Sequence, residues 1–526
     1  MMAVTTTASV MGIDGHIVRV ETDITQGLPA FVLVGLAEGA VRESRVRVSS
    51  AIRNAGYILP LRKITANLAP ADRRKEGSGF DLPLAMSILG ALGHIAQERF
   101  SSWALAGELS LDGAIHPVPG AFPMALACRE AGLQGIIVAA GNAREAALVD
   151  ELDVRSAKHL REAAEFMNGT GELPAADRSP IPGRESGQAD LIDVSGQVMA
   201  RRAIEIAAAG GHSFLLLGPP GSGKSMLARR LPSILPPLSR DEALETTKIW
   251  SVAGLLDPDF PLIERTPFRA PHHTITAAAL AGGGGVPRPG EISLAHNGVL
   301  FLDELTEFTG RVLDVLRQPL EEGRVVIVRS SHAVAFPSRF LLAAAMNPCP
   351  CGYRGHPERE CGCTWLQVKR YRSRISGPFL DRIDLHVEVP PVAVDALEHG
   401  SGEPSSAVAR RVAAARARTA ERLDGCDSGA RVPGTPPVNA ALTPSGLRQL
   451  PQPDEPARRM LARAVRSYGL SARTYHRLLK VAWTIADLAG CGRVGAPQIS
   501  EALQFRVGER DREALSPAPA RERQIY

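Results

Sequence analysis

Long apolar runs are missing from this sequence. The most extended, 82–92, is broken by Gly90 and falls short of the roughly 18 residues that a membrane-spanning helix requires. No membrane partner is therefore expected. The opening Met1-Met-Ala-Val-Thr-Thr-Thr has neither a basic region nor a long apolar one, so a secretory signal is not indicated and the cytoplasm is the expected compartment. Net charge is also scarce. The 60 Lys and Arg against 56 Asp and Glu leave +4, so bulk charge points to no polyanion. Any contact with nucleic acid must come from local placement of basic side chains. Cysteines number seven, four of them in one short window, which argues for a metal site over a disulfide framework. No internal repeat is found.

What remains is an ordinary globular composition, 44% hydrophobic and 22% charged, long enough for about two to four domains with sizeable cores. Residues 1–167 alternate strand-like runs (Gly15-His-Ile-Val-Arg-Val-Glu21, Gly135-Ile-Ile-Val-Ala-Ala140) with helical ones (40–55, 82–93), an α/β or α+β domain of its own. Gly, Pro, Ser and charge mark 168–190 as a linker. Residues 191–393 alternate helices with buried strands, which predicts an α/β fold on a parallel sheet. The segment 394–507 contains a loop cluster at 425–437 and then helical periodicity over 456–505; a charged, Pro-containing tail fills 508–526.

The most telling motif is Gly218-Pro-Pro-Gly-Ser-Gly-Lys224-Ser225, a complete G-x-x-x-x-G-K-[ST] loop. The apolar run Ser213-Phe-Leu-Leu-Leu217 before it reads as a strand, and Met226-Leu-Ala-Arg-Arg-Leu231 after it as the first turns of a helix. Gly218, Pro219, Pro220, Gly221, Ser222 and Gly223 would wrap backbone N–H groups around phosphate oxygens, helped by the helix dipole. Lys224 would reach the β- and γ-phosphates, and Ser225 would ligate Mg²⁺. Further on, Val-Leu-Phe-Leu-Asp303-Glu304 places two carboxylates at a strand end, Asp303 for the metal's water shell and Glu304 to polarise the attacking water. Both motifs in this order point to nucleotide hydrolysis. Phe340-Leu-Leu-Ala-Ala-Ala-Met-Asn347 is another buried strand, and its terminal amide suits orienting that water beside Glu304.

These stretches resemble the ComM/YifB family of magnesium-chelatase-like AAA+ ATPases. So do Asp193-Val-Ser-Gly-Gln197, Phe268-Arg-Ala-Pro-His-His-Thr274, Gly282-Gly-Gly-Gly285, Pro289-Gly-Glu-Ile-Ser-Leu-Ala-His296, Asn347-Pro-Cys-Pro-Cys-Gly352 and Arg374-Ile-Ser-Gly-Pro-Phe-Leu-Asp-Arg-Ile-Asp384. The resemblance implies an AAA+ core at 191–393, a C-terminal helical lid, and a ring, usually hexameric, with ATP and Mg²⁺ between subunits. It makes Arg382 a finger acting in trans and Arg473, in Ser471-Ala-Arg473, a γ-phosphate sensor acting in cis. An arginine in either place also serves as a surface ion pair. For ComM-type members it implies translocation on DNA and branch migration during recombination of incoming DNA. Pore-lining segments would be 268–289, carrying Arg269, His272 and His273, and a hairpin at 323–336 with Arg329 and His332 flanking its tip. Intersubunit structural contacts are the equal alternative for Arg269, His272 and His273.

Cys349, Cys351, Cys361 and Cys363 form C-x-C-x9-C-x-C, a candidate zinc knuckle, with disulfide pairing as the rival. Residues 1–167 resemble a Lon-protease-like domain through Glu76-Gly-Ser-Gly-Phe-Asp-Leu-Pro83 and Ala106-Gly-Glu-Leu-Ser-Leu-Asp-Gly-Ala-Ile-His-Pro-Val-Pro-Gly120. That pattern puts Gly79 where a nucleophilic Ser would stand and Phe122 where its Lys would stand, which implies a domain without protease chemistry. Arg62-Lys63 and Arg73-Arg-Lys75 give it a basic face, either solvated or DNA-capturing. The competing function is a chelatase-type remodeller of a protein partner. Such subunits normally lack the fused domain and the four cysteines.

Overall fold

The computed structural model describes residues 2–35, 39–71, 75, 77–179, 189–284, 287–329, 332–392 and 402–506; at 39–42, 329, 332 and 428 it describes the backbone alone.

The first domain is built on a seven-stranded mixed sheet in the order Ala30–Val34, Lys63–Ala69, Asp14–Thr25, Met2–Met11, Trp103–Leu105, Gly135–Ala139, Asp153–Ala157. Alternation explains the strand Lys63–Ala69, where Ile64, Ala66 and Leu68 turn inward. The run Gly135–Ala139 is apolar throughout and buried on both faces, as a parallel strand between helical layers must be. Gly39–Asn54, Asp81–Ala91 and Leu160–Met167 cover one face, and Ala121–Glu130 covers the other. The chain still packs on this domain beyond Met167: Leu173 is buried, and the Ala176 amide donates to the Val154 carbonyl over 2.9 Å. The stretch read as linker is thus anchored over its first part. Of the expected basic face, Lys75 is not part: it is fully buried and donates to the Pro70 carbonyl. Arg73 and Arg74 lie outside the described residues.

The second sheet is wholly parallel and five-stranded, in the order Phe268–Arg269, Gly298–Leu302, Phe340–Met346, Phe214–Leu217, Leu385–Glu388. The C-terminal helices share its core. Phe214 and Val299 of the sheet, Ile204 and Ala207 of helix Val198–Gly210, and Val412 and Trp483 of the C-terminal segment form one buried cluster. The expected helical segment 394–507 shows periodicity only over 456–505 in sequence, yet Ser405–Asp424 is also a helix, of 20 residues. Its inward positions Val408, Val412, Ala415, Thr419 and Leu423 keep helical spacing, but the Ala- and Arg-rich sequence dilutes the apolar contrast.

The two sheets meet through helix Arg240–Ala253, which packs on Ala121–Glu130. Gly120 N–H donates to the Ser251 carbonyl at 3.0 Å. Ser251 Oγ donates to Glu145, which also accepts from Phe122 N–H at 3.0 Å and Asn142 Nδ2 at 3.1 Å. Burial pushes the Glu145 carboxyl up, against these donors. Among the described residues, no helix is long and apolar enough to cross a membrane.

Because Trp483 is 2% exposed in the core that joins sheet and C-terminal helices, Trp483→Ala should cost about 3–5 kcal/mol, read as a lowered urea midpoint by tryptophan-independent far-UV dichroism. An unchanged midpoint would show that the helices do not contribute to the stability of the sheet.

Candidate functional site

Strand order decides which side chains meet. Phe340–Met346 lies between Phe214–Leu217 and Gly298–Leu302, with Leu217 opposite Met346 and Leu302 opposite Ala344. The residues that follow these strands, Gly218, Asn347 and Asp303, therefore emerge at one sheet edge. Each strand is apolar to its last residue and turns polar as it leaves the core.

At that edge Gly221 and Gly223 adopt φ of +77° and +87°, and a Cβ on either would meet no protein atom within 4 Å. The loop thus frames an open cradle of the kind a phosphate chain fills. Gly218 is needed for a different reason: its Cβ would sit 2.1 Å from the Val389 carbonyl oxygen. Lys224 opens the helix Lys224–Arg229, and its Nζ donates to the Gly218 and Pro219 carbonyls at 2.7 and 2.8 Å and to Asn347 Oδ1 at 3.2 Å. Burial pulls the Lys224 pKa down, while Asp303 and Glu304 push it up. Ser225 Oγ donates to Asp303 Oδ2 at 2.5 Å, bringing together the two groups that would hold Mg²⁺. Ser222 is buried with its Oγ unpaired. This donor set fits a nucleotide triphosphate with its metal. One supporting residue had no role in the sequence reading: Gln197 Nε2 donates to the Ser222 and Pro390 carbonyls at 3.1 and 2.6 Å, tying the loop to the strand after it.

Glu304 follows directly, with an exposed carboxylate and left-handed backbone at φ +51°, a strain of about 1–3 kcal/mol. Glu304 and Asn347 line one chamber of about 450 Å³ with Glu307, Gln367, Arg370 and Arg374. His273 Nδ1 stands 3.6 Å from Glu304 Oε2, and its ring lies 4.1 Å from that of His272. The structure therefore places the His273 ring beside the Glu304 carboxylate. Arg269 is likewise engaged: Nε and Nη2 donate to Glu291 at 2.6 and 2.7 Å, and the guanidinium lies over the Trp250 ring. The hairpin expected at 323–336 is present as Arg324–Arg329 paired with His332–Pro337, but the side chains of Arg329 and His332 lie outside what is described.

Arg382 and Arg473 are elsewhere. Leu385 pairs with Phe214, so Arg382 precedes the sheet at the edge opposite the phosphate loop. Its Nη2 pairs with Glu321 Oε1 at 2.9 Å, and its Nη1 donates to the Pro378 carbonyl at 2.6 Å. Arg473 Nη2 donates to the same Glu321 oxygen, also at 2.9 Å. In place of the cis reach toward Lys224 expected of it, Arg473 sits beside Arg382. Two residues on, Asp384 accepts from His212 Nδ1 at 3.0 Å and pairs with Arg477 at 3.5 Å. His212 Nε2 bonds Thr484 Oγ1 at 2.8 Å, so the Arg382 segment is pinned to the C-terminal helix Ala472–Leu488. Glu321 and His212 carried no signal in the sequence beyond their polarity.

The four cysteines converge. Their sulfurs all lie within 4.8 Å of one another. Cys349 Sγ is 3.3 Å from Cys351 and 3.6 Å from Cys361, and Cys351 is 3.6 Å from Cys361. A tetrahedron of thiolates at Zn–S distances of about 2.3 Å has edges of about 3.8 Å, so the set fits zinc. All four are free thiols, as are the remaining three cysteines.

Three family models match the chain. "Magnesium chelatase, subunit ChlI" covers 190–397, "Subunit ChlI of Mg-chelatase" covers 20–142, and "Magnesium chelatase, subunit ChlI C-terminal" covers 402–506. Since a chelatase description covers 20–142 as well, the fused first domain does not by itself separate this chain from chelatases. An uncharacterized protein, Rv2897c, of Mycobacterium tuberculosis is 44% identical over 505 residues, 95% of this chain and 97% of that one. An uncharacterized protein, YifB, of Escherichia coli is 42% identical over 512 residues, 97% and 98% of the two chains. Competence protein ComM of Haemophilus influenzae is 41% identical over 522 residues, 98% and 99% of the two.

Burial opposes ionisation of Asp384, but the His212 hydrogen bond and the charges of His212, Arg477 and Lys480 outweigh it and hold the carboxyl down at about 2. A depressed carboxylate stabilises the fold above its unfolded value of about 3.9 and loses that contribution as pH falls through its folded one. The stability gap between wild type and Asp384→Asn should therefore narrow by about 2 kcal/mol between pH 5 and pH 2, in urea titrations at each pH. A gap independent of pH would show that Asp384 carries no charge-dependent share.

Proposed function

We propose, for a chain that belongs to the ComM/YifB family of magnesium-chelatase-like AAA+ ATPases, the function of an ATP-hydrolysing ring motor on DNA. Its work would be ComM-type helicase activity or branch migration in the recombination of incoming DNA. The observation that carries this reading is the division of the site between two sheet edges. Lys224, Ser225, Asp303, Glu304 and Asn347 stand at one, Arg382 and Arg473 at the other. A single chain holds both halves of an ATPase site but does not bring them together; a neighbour in a ring, hexameric by family resemblance, completes it.

Within that site Lys224 binds the β- and γ-phosphates while the backbone of 218–223 encloses them. Ser225 and Asp303 would hold Mg²⁺, which would supply positive charge against the charge developing on the phosphates. Glu304 accepts the proton side of the attacking water, and Asn347 fixes its orientation. Arg382, with Arg473 beside it, supplies positive charge to the neighbour's γ-phosphate. Cys349, Cys351, Cys361 and Cys363 hold a structural Zn²⁺.

For the remaining parts we adopt the same family reading: a Lon-protease-like domain at 1–167, a linker at 168–190, the ATPase core at 191–393, a helical lid at 394–507 and a tail at 508–526. Support for a first domain without protease chemistry comes from Ser78, whose Oγ donates to Glu108 and not to a lysine, and from Phe122, which is buried. The second reading, a chelatase-type remodeller, draws on the descriptions of the three matching family models.

Steady-state ATPase rates without nucleic acid and with single-stranded DNA, duplex or a four-way junction, at two salt concentrations, separate the two. Salt-sensitive stimulation by DNA is expected; a rate indifferent to every DNA would favour the remodeller. Glu304→Gln should bind ATP and assemble yet lose turnover by about 10²-fold or more. Retained hydrolysis would remove the role given to Glu304. Arg382→Ala should also lose turnover, and mixing it with Lys224→Ala chains should restore part, each chain supplying what the other lacks. Absence of rescue in mixed rings of confirmed assembly would count against a finger in trans.

A further inference from the structure

We propose that the four-cysteine knuckle is a buttress of the phosphate loop, so that zinc occupancy sets nucleotide affinity; this rests on the zinc reading above. Three contacts carry it. The knuckle begins two residues after Asn347, whose Oδ1 accepts from Lys224. Gly352, at φ +84°, lies so close to the phosphate loop that a Cβ there would fall 2.5 Å from Pro220 Cδ and 2.8 Å from Pro220 Cγ. At its far end, Thr364 caps the helix Trp365–Arg372 through a reciprocal pair with Gln367, and Arg372 returns to the Pro348 carbonyl through Nε and Nη2 at 3.3 and 3.2 Å. That helix supplies Gln367, Arg370 and Tyr371 to the chamber containing Glu304. The segment that carries the four sulfurs thus lies against the phosphate loop through Gly352, continues the strand bearing Asn347 and leads into the helix flanking the chamber.

The loop has no secondary structure to order it: no helix or strand falls between Met346 and Trp365, and its residues from 353 to 363 are partly or fully exposed. Its internal contacts are local: Arg359 on Tyr353, the Tyr353–His356 ring pair, the Glu358 and Arg359 amides on His356 Nδ1, and the Gly352 and His356 amides on the Cys349 and Tyr353 carbonyls. Four mutually adjacent thiols without a metal give no cross-link, whereas a bound zinc fixes all four positions at once. The Pro220 wall at Gly352 is then rigid, and the cradle at Gly221 and Gly223 is preorganised for phosphate.

The test uses the full chain. Zinc is counted by elemental analysis, and affinity is measured with a fluorescent ADP analogue, so that no turnover is required. One zinc per chain is expected. Its removal by a zinc-selective chelator, with Mg²⁺ held constant, should raise the Kd about tenfold, and added Zn²⁺ should restore it. Gly352→Ala keeps the four ligands but presses a methyl group and a strained backbone against Pro220; it should retain zinc and still weaken binding. Unchanged affinity in both the zinc-free protein and Gly352→Ala would overturn the buttress while leaving the zinc site standing. A chain purified and refolded with Zn²⁺ that holds none would overturn both.

Discussion

The position of strand Phe340–Met346 between Phe214–Leu217 and Gly298–Leu302 is the constraint on which the rest of the molecule depends. Parallel pairing aligns the ends of three buried strands, and each end is where the chain changes from apolar to polar. Lysine, serine, two acids and an amide are gathered with no long-range loop to place them. A two-strand register shift would separate Asn347 from Lys224 and Asp303 from Ser225. The sheet therefore fixes the chemistry, while the helices around it decide what else comes near.

Much of this was legible beforehand, and the reasons are local. The acidic strand end and Asn347 are each a short apolar run followed at once by a polar group, and the phosphate loop is such a run followed by a glycine- and proline-rich turn, patterns that survive without tertiary information. The hairpin at 324–337 declared itself by alternation. The four cysteines needed only spacing. What escaped was whatever depended on which element faces which. Helix Ser405–Asp424 has a weak apolar stripe because its partner, Val198–Gly210, is rich in alanine and accepts small side chains. Arg269 and His273 look like free cations in sequence, but Glu291 and Glu304 stand in the fold where they meet them. Lys75 reads as surface charge because its burial on the Pro70 carbonyl leaves no mark in the sequence around it. Nothing in the sequence links Glu321 to arginines 61 and 152 residues away.

Charge is used economically. Glu321 holds two guanidiniums on one oxygen, and Asp384 gathers His212 and Arg477 beside them. Most of these groups come from different elements, so ion pairs set angles between the sheet and the C-terminal helices that a shared apolar core leaves loose. The contact between the two sheets follows the same logic. Glu145 collects donors from both sides of the junction and fixes how helix Arg240–Ala253 lies on Ala121–Glu130.

The placement of the two arginines has a consequence for symmetry. Their edge of the sheet carries cations, and the opposite edge carries the cradle for an anion. Surfaces that differ in this way cannot satisfy themselves across a two-fold axis, where each patch meets its own copy. They match only head to tail. In the ring proposed for this chain, association of that kind would leave one unmatched end at every stage of growth until the rotation between neighbours closed the circle, so completeness of the assembly, and not any single contact, would decide when all its sites are whole.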